Sequence, residues 1–152
     1  LGGHFLVSTA DSEYLITRDA DNELWAYPIK PRGGGWGTKT SLGVGWGGAD
    51  VVLGVGGLNE NGYRDIVARD DLGRSWFYPG TSELEYPTRE QLSVDWSTAV
   101  HVLYGGYFDA GRYPDVLTVD GAGENEDTVA GTDLGLQRRI QLDAEANQRW
   151  IA

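Results

Sequence analysis

The sequence predicts an all-β fold: a β-propeller of four-stranded antiparallel blades, three of them in this chain. Three observations predict it. A set of short motifs recurs at offsets of 51 and then 50 residues. Each recurrence holds four strand-like stretches separated by turn residues, with no sustained helical period. Glycine and the aromatics are abundant, with 23 Gly, 6 Trp and 8 Tyr in 152 residues, a composition suited to short strands joined by tight turns.

The elements follow in order. YLITRD (14–19) recurs as DIVARD (65–70) and DVLTVD (115–120). ELWAYP (23–28) is answered by RSWFYP (74–79) and, more weakly, by DTVAGT (127–132). TKTSLGVGW (38–46) returns as TREQLSVDW (88–96) and, without its Trp, as RRIQLDAEA (138–146). VVLGVGGLNENG (51–62) returns as HVLYGGYFDAG (101–111). In the second unit, Val51–Val55 is apolar at nearly every position, as suits a strand buried on both faces. Asp65–Ala68 is short and β-branched, and Ser75–Tyr78 alternates, with Trp76 and Tyr78 on one face and Phe77 on the other. Thr88–Val94 alternates more weakly, and the turns are NENG, DDLG and PGTSEL.

Four short strands at this period make one propeller blade. The single domain, 1–152, divides into repeats of about 1–53, 54–103 and 104–152. Gly54, Gly56, Gly57, Gly105 and Gly106 lie on the most apolar strand, expected nearest the axis, where only small residues fit. Propellers close with about four to eight blades. At a constant offset Leu1 aligns with Val52 and Ala152 with Val102, so the ring is expected to be partial. A second copy, or more chain, would complete it.

The formal net charge of −11 is the opposite of a nucleic-acid footprint and disfavours an anionic membrane surface. It suits neutral ligands such as sugars, or calcium. No apolar run approaches the roughly 20 residues of a membrane span. Cys and Met are absent, even at position 1. No disulfide framework is available, and the chain is expected to begin after a processing event such as removal of a secretion signal.

The pattern GVGGLNENGYRDIVARDDLGRSWFYPG (54–80) resembles the FG-GAP or VCBS repeat, the blade unit of integrin-alpha-like propellers, most closely in its bacterial secreted form. The resemblance is strongest in the second repeat, good from Tyr14 to Trp46, and weak after Asp120. It implies an extracellular location and a binding role. Family members include appendages of secreted enzymes, integrin-like fungal lectins that hold sugars between blades, and protein-recognition platforms.

The family loop places calcium ligands at its first, third, fifth and ninth positions, with a backbone carbonyl at the seventh. Here the second repeat supplies Gly57, Asn59, Asn61, the Tyr63 carbonyl and Asp65. The third supplies Tyr107, Asp109, Gly111, the Tyr113 carbonyl and Asp115; the first has Leu6, Ser8, Ala10 and Tyr14. Calcium wants six to eight oxygens, and its affinity rises with carboxylate count. Asn59, Asn61, Asp65, Asp109 and Asp115 are therefore read as degenerate calcium loops: Asx-stabilised turns that keep the shape with little hold on the ion.

Trp25 and Trp76 are expected to pack between neighbouring blades. Trp46 and Trp96 follow Gly45 and Asp95 in expected loops, where a Trp beside a carboxylate could stack on a sugar and bind its hydroxyls. Trp36 and Tyr86 join Trp46, Asp95 and Trp96 as candidate ligand contacts. His4 and His101 fall near innermost strands and lack a third metal ligand. No nucleophile elbow or phosphate loop is present, and no pair of acids stands out for glycoside cleavage. The expected function is a non-catalytic, extracellular binding module for carbohydrate or a cell-surface polymer, with similar sites repeated on the blades. The alternatives are an assembly module using open blade faces and a piece of a secreted hydrolase.

Overall fold

The computed structural model describes residues 4–8, 13–30, 34–106, 113–121, 125–130 and 136–142. They form an all-β protein with no α-helix among the described residues. The first sheet contains β1 (His4–Ser8), β2 (Glu13–Arg18), β3 (Leu24–Ile29) and β4 (Thr40–Gly43). A 3-10 turn at Trp46–Gly48 leads to the second sheet, β5 (Ala49–Gly56), β6 (Asp65–Asp70), β7 (Arg74–Tyr78) and β8 (Glu90–Asp95). The third contains β9 (Ala99–Gly106), β10 (Asp115–Asp120), β11 (Asn125–Ala130) and β12 (Leu136–Leu142). Each sheet is antiparallel and in chain order.

The repeat persists in the strand registers. Leu15 pairs with Tyr27, Ile66 with Tyr78 and Val116 with Thr128, in step with the sequence offsets. The bulges repeat too: β5–β6 and β9–β10 each shift register at both ends, with Gly56 opposite Asp65 and Gly106 opposite Asp115. Gly56 takes φ +78 at its bulge, so bulge geometry accounts for this glycine.

Two sequence alignments are corrected by the pairing. The counterpart of RSWFYP is not DTVAGT. Register places Glu126 where Trp76 stands and Thr128 where Tyr78 stands, three residues from the expected match. At the amino end, His4 pairs with Thr17 as Val52 pairs with Ala68 and Val102 with Thr118. His4 therefore takes the place expected for Leu1, while His101 pairs with Val119. The slip arises because only residues 9–12 join β1 to β2, against 57–64 and 107–114 in the other sheets. Of the loop positions expected in the first repeat, Leu6 and Ser8 lie inside β1.

The second sheet is sandwiched. Along β6, Ile66 and Ala68 join a core with Ile16, Leu24, Ala26, Leu42 and Trp46 of the first repeat. Val67, between them, faces the other way. It packs with Phe77, Leu92 and Trp96, against Val102 and Val116 of the third sheet. Strand side chains alternate between faces, so burial on both sides is what the unbroken apolar runs encode. The first strand of the second sheet, β5, contacts both β1 and β9.

An arginine ties each inter-sheet crossover down. Arg18 Nη1 donates to the carbonyls of Trp46, at 2.7 Å, and Ala49. Arg69 Nη1 repeats this with the carbonyls of Trp96, at 3.0 Å, and Ala99. Arg69 also pairs with Asp50 at 2.7 Å. These bonds add a charged donor to carbonyls of the segment that leaves one sheet for the next; the Trp46 and Trp96 carbonyls also accept the Ala49 and Ala99 N–H groups.

Candidate functional site

A cleft of about 190 Å³ opens between the first and second sheets beside the Trp46–Gly48 turn. Its construction starts at the β6–β7 turn. Asp70 Oδ1 accepts the backbone N–H groups of Leu72 and Arg74 at 3.0 and 2.9 Å. Gly73, at φ +80, closes the turn. The other carboxylate oxygen accepts Trp76 Nε1 at 2.9 Å and Arg74 Nε at 2.8 Å. One side chain thus shapes the turn and fixes the indole. Desolvation pushes the Asp70 pKa up, but the Trp76 and Arg74 hydrogen bonds outweigh it and hold the carboxyl at about 2.

The half-buried Trp76 forms the floor with Tyr78. Arg89 lies 4.2 Å from the Trp76 ring centroid and Arg74 5.5 Å. Across the boundary, the Trp46 ring meets Tyr78 at 4.7 Å, tilted by 41°. An aromatic wall, two guanidinium groups and an ionised carboxylate converge on a space suited to one small polar ring, below the roughly 300–1,000 Å³ of drug-sized pockets. The first sheet repeats the floor. Asp19 Oδ2 accepts Trp25 Nε1 at 2.8 Å and Lys39 Nζ sits 3.3 Å over the Trp25 ring. The Glu23 amide, then Trp25, hold the Asp19 pKa below its ordinary value.

The expected ligand residues scatter. Trp46 lines the cleft, but it is only 7% exposed. Trp96 is 1% exposed and belongs to the core between the second and third sheets, so it offers no face to a ligand. The repeat moves Trp96 inward because it is the residue that plugs the crossover. Asp95 is exposed and accepts the Ser97 N–H at 2.8 Å, capping a turn. Trp36 is 54% exposed and meets Tyr27 edge-on at 6.4 Å. Tyr86 packs against the core between the first and second sheets, where burial raises its phenol to about 12.

The residues the sequence reading did not assign to the site are Asp70, Arg74, Trp76, Tyr78 and Arg89. One signal could have found them: an Asp six residues before a Trp occurs twice in phase, as Asp19–Trp25 and Asp70–Trp76. That spacing spans one hairpin turn and lets the carboxylate reach the indole N–H.

The loop 57–65 is held by its own hydrogen bonds. Asn59 Oδ1 accepts the Asn61 N–H at 3.1 Å, and Asn61 Oδ1 the Tyr63 N–H at 2.8 Å. Asn61 Nδ2 donates to the Gly80 carbonyl at 3.1 Å. Asp65, fully buried, accepts the Leu58 N–H at 2.6 Å on one oxygen and the Gly80 N–H at 2.9 Å on the other. Burial raises its pKa, opposed by those amides. A Cβ at Gly57 would lie 3.2 Å from the Tyr63 carbonyl oxygen. As a calcium site the set fits poorly. It offers one carboxylate, with both oxygens engaged, and no side chain at Gly57. Asp115 is likewise buried, and Asp109 lies outside the described residues. Neither a protein-family model nor a curated protein or solved structure matches the chain.

Proposed function

We propose that the chain is a non-catalytic carbohydrate-binding module, secreted, whose three sheets are consecutive blades of an FG-GAP-type propeller. The single observation that carries the binding reading is the cleft at Trp46, Trp76 and Tyr78. A half-buried indole offers the stacking surface sugars need. Arg74, Arg89 and Asp70 supply fixed donors and an acceptor for hydroxyls. Supporting the blade reading are the repeated register, the repeated bulges and the contacts of β5 with both β1 and β9. The loop at Asp65 is read as a turn that holds its shape without calcium.

At the second boundary, Glu126 and Thr128 stand where Trp76 and Tyr78 line the first, so the aromatic wall is not repeated. A glycan array followed by titration calorimetry tests the reading. Trp76→Ala and Arg89→Ala should each weaken binding at least tenfold while leaving the fold intact. An array with no signal sinks it.

A second reading, self-assembly, has its own observation. Val100, Leu103 and Tyr104 on β9 are 57, 50 and 42% exposed. The counterpart of Leu103 is Leu53, which is 5% exposed beneath the third sheet. A solution mass equal to a multiple of the chain, with a silent array, would favour assembly.

A further inference from the structure

The two boundaries differ at the end remote from the crossovers. At the second, the β9–β10 connection delivers Tyr113 and Pro114, both buried, and the Tyr113 hydroxyl donates to Glu60 Oε1 at 2.6 Å. Their counterparts at the first boundary, one offset of 50 earlier, are Tyr63 and Arg64. The first sheet has only residues 9–12 in place of the eight-residue connection that carries Leu58 and Glu60. Tyr63 is accordingly 43% exposed, and a cleft of about 380 Å³ opens beneath it.

The side chains that line this cleft are mostly hydroxyl-bearing, with one cation, Arg64, one acid, Glu83, and one aliphatic, Leu84. Hydroxyls come from Tyr14, Thr40, Tyr63, Thr81 and Ser82. The cation is Arg64, half-buried, with its guanidinium 5.3 Å from the Tyr14 ring centroid. Its Nε is buried and has no hydrogen-bond partner, and among the described residues it makes no ion pair. A buried guanidinium N–H without an acceptor costs free energy, and the planar fork of Arg matches a carboxylate or sulfate bidentately. Where Pro114 is buried at the second boundary, Arg64 presents donors at the first.

We propose that this cleft is a second binding site, taking the single oxyanion group of an acidic sugar through Arg64 while the hydroxyls bind the ring. The choice of a sugar as carrier rests on the carbohydrate reading above; the oxyanion site does not. The net charge of −11 opposes any anion, but at physiological ionic strength charges beyond about 8 Å are largely screened. Glu83, exposed and also lining the cleft, disfavours a densely anionic polymer and leaves an isolated carboxylate or sulfate as the better match.

The test is an amide-shift titration of the full chain with glucuronate, inorganic sulfate and glucose. Glucuronate should shift the amides of 62–64 and 81–84, and glucose should not. Arg64→Gln should weaken glucuronate at least tenfold, Arg64→Lys should restore part of it, and Lys30→Gln, at an exposed lysine outside both clefts, should leave it unchanged. Sulfate acting without glucuronate would keep the site and assign it to a sulfate ester, and it would do so even if the glycan array is silent. No shift with either anion, equal shifts with glucose, or shifts that survive Arg64→Gln would overturn the proposal.

Discussion

The boundary between the first and second sheets and the boundary between the second and third are two solutions to one packing problem. Both use a tryptophan at the crossover, an arginine that holds the crossover carbonyls, and alternating aliphatics from the middle strands. Among the described residues the second is closed: Trp96 is 1% exposed, with Phe77 and Tyr113 in the same core. The first is left open at both ends, beside Trp46 and beneath Tyr63. The difference teaches that a repeated fold leaves open space where it fails to repeat. Beneath Tyr63, a short connection replaces a long one. The space that results is lined with polar and aromatic side chains.

The largest expected effect tests the closed boundary against the open one. Trp96→Ala should cost about 3–5 kcal/mol, the usual range for emptying an aromatic core site. Trp46→Ala should cost less, because its ring borders a cleft already open to water and the new cavity is partly there beforehand. Urea denaturation of both variants measures this, and equal costs would break the comparison. Next come the arginines. Arg18→Met and Arg69→Met each leave two crossover carbonyls without their charged donor. Each should lose about 2–3 kcal/mol, from the roughly 1.5–3 of a hydrogen bond to a charged group. The Asp50 pair should add little, since Asp50 is half exposed. If Arg69→Met costs no more than Asp50→Ala, the crossover bonds carry nothing.

Most of the fold was legible in the sequence because the registers keep the phase of the motifs. Leu15, Ile66 and Val116 stand at corresponding places, and so do their partners on the next strand. The reading failed where length changed. The shorter β1–β2 connection displaced His4 by three residues, and no motif marks that loss. The site was less legible, for a physical reason. Trp46 and Trp96 have nearly the same sequence context, yet exposure depends on what the facing sheet provides, and that lies about fifty residues away. Arg89 and Arg64 carry no sequence signal, because only the fold brings them beside Trp76 and Tyr14.

The acid limb of stability separates the two turn aspartates from the buried loop aspartate. Asp70 is held at about 2, below its ordinary 3.8, so its contribution is present above about pH 4 and is lost as pH falls through about 2. Asp19 acts in the same direction. Asp65 is raised by burial, so its contribution is present below its unfolded value and is lost as pH rises through its folded one. Asp70→Asn should therefore flatten the loss of stability between pH 4 and 2, and Asp65→Asn should not. A thermal melt series across that window decides it; identical acid limbs for wild type and Asp70→Asn would remove the turn from the argument.

The smallest effect expected is that of calcium. Both long loops end on a buried aspartate, Asp65 and Asp115, and in the first of these the carboxylate already accepts backbone amides on both oxygens. An ion would have to bind through one engaged carboxylate and neutral oxygens, which implies a dissociation constant of about 10 mM or weaker. At 2 mM calcium, mass action then gives about 0.1 kcal/mol, and a melting shift of less than about 0.5 °C for a chain of this size. A site of about 0.1 mM would give close to 2 kcal/mol and several degrees. The two cases are far enough apart for a single melting experiment. A rise of several degrees would show that one loop does hold the ion, and loss of that rise in Asp65→Asn or in Asp115→Asn would say which boundary it stabilises.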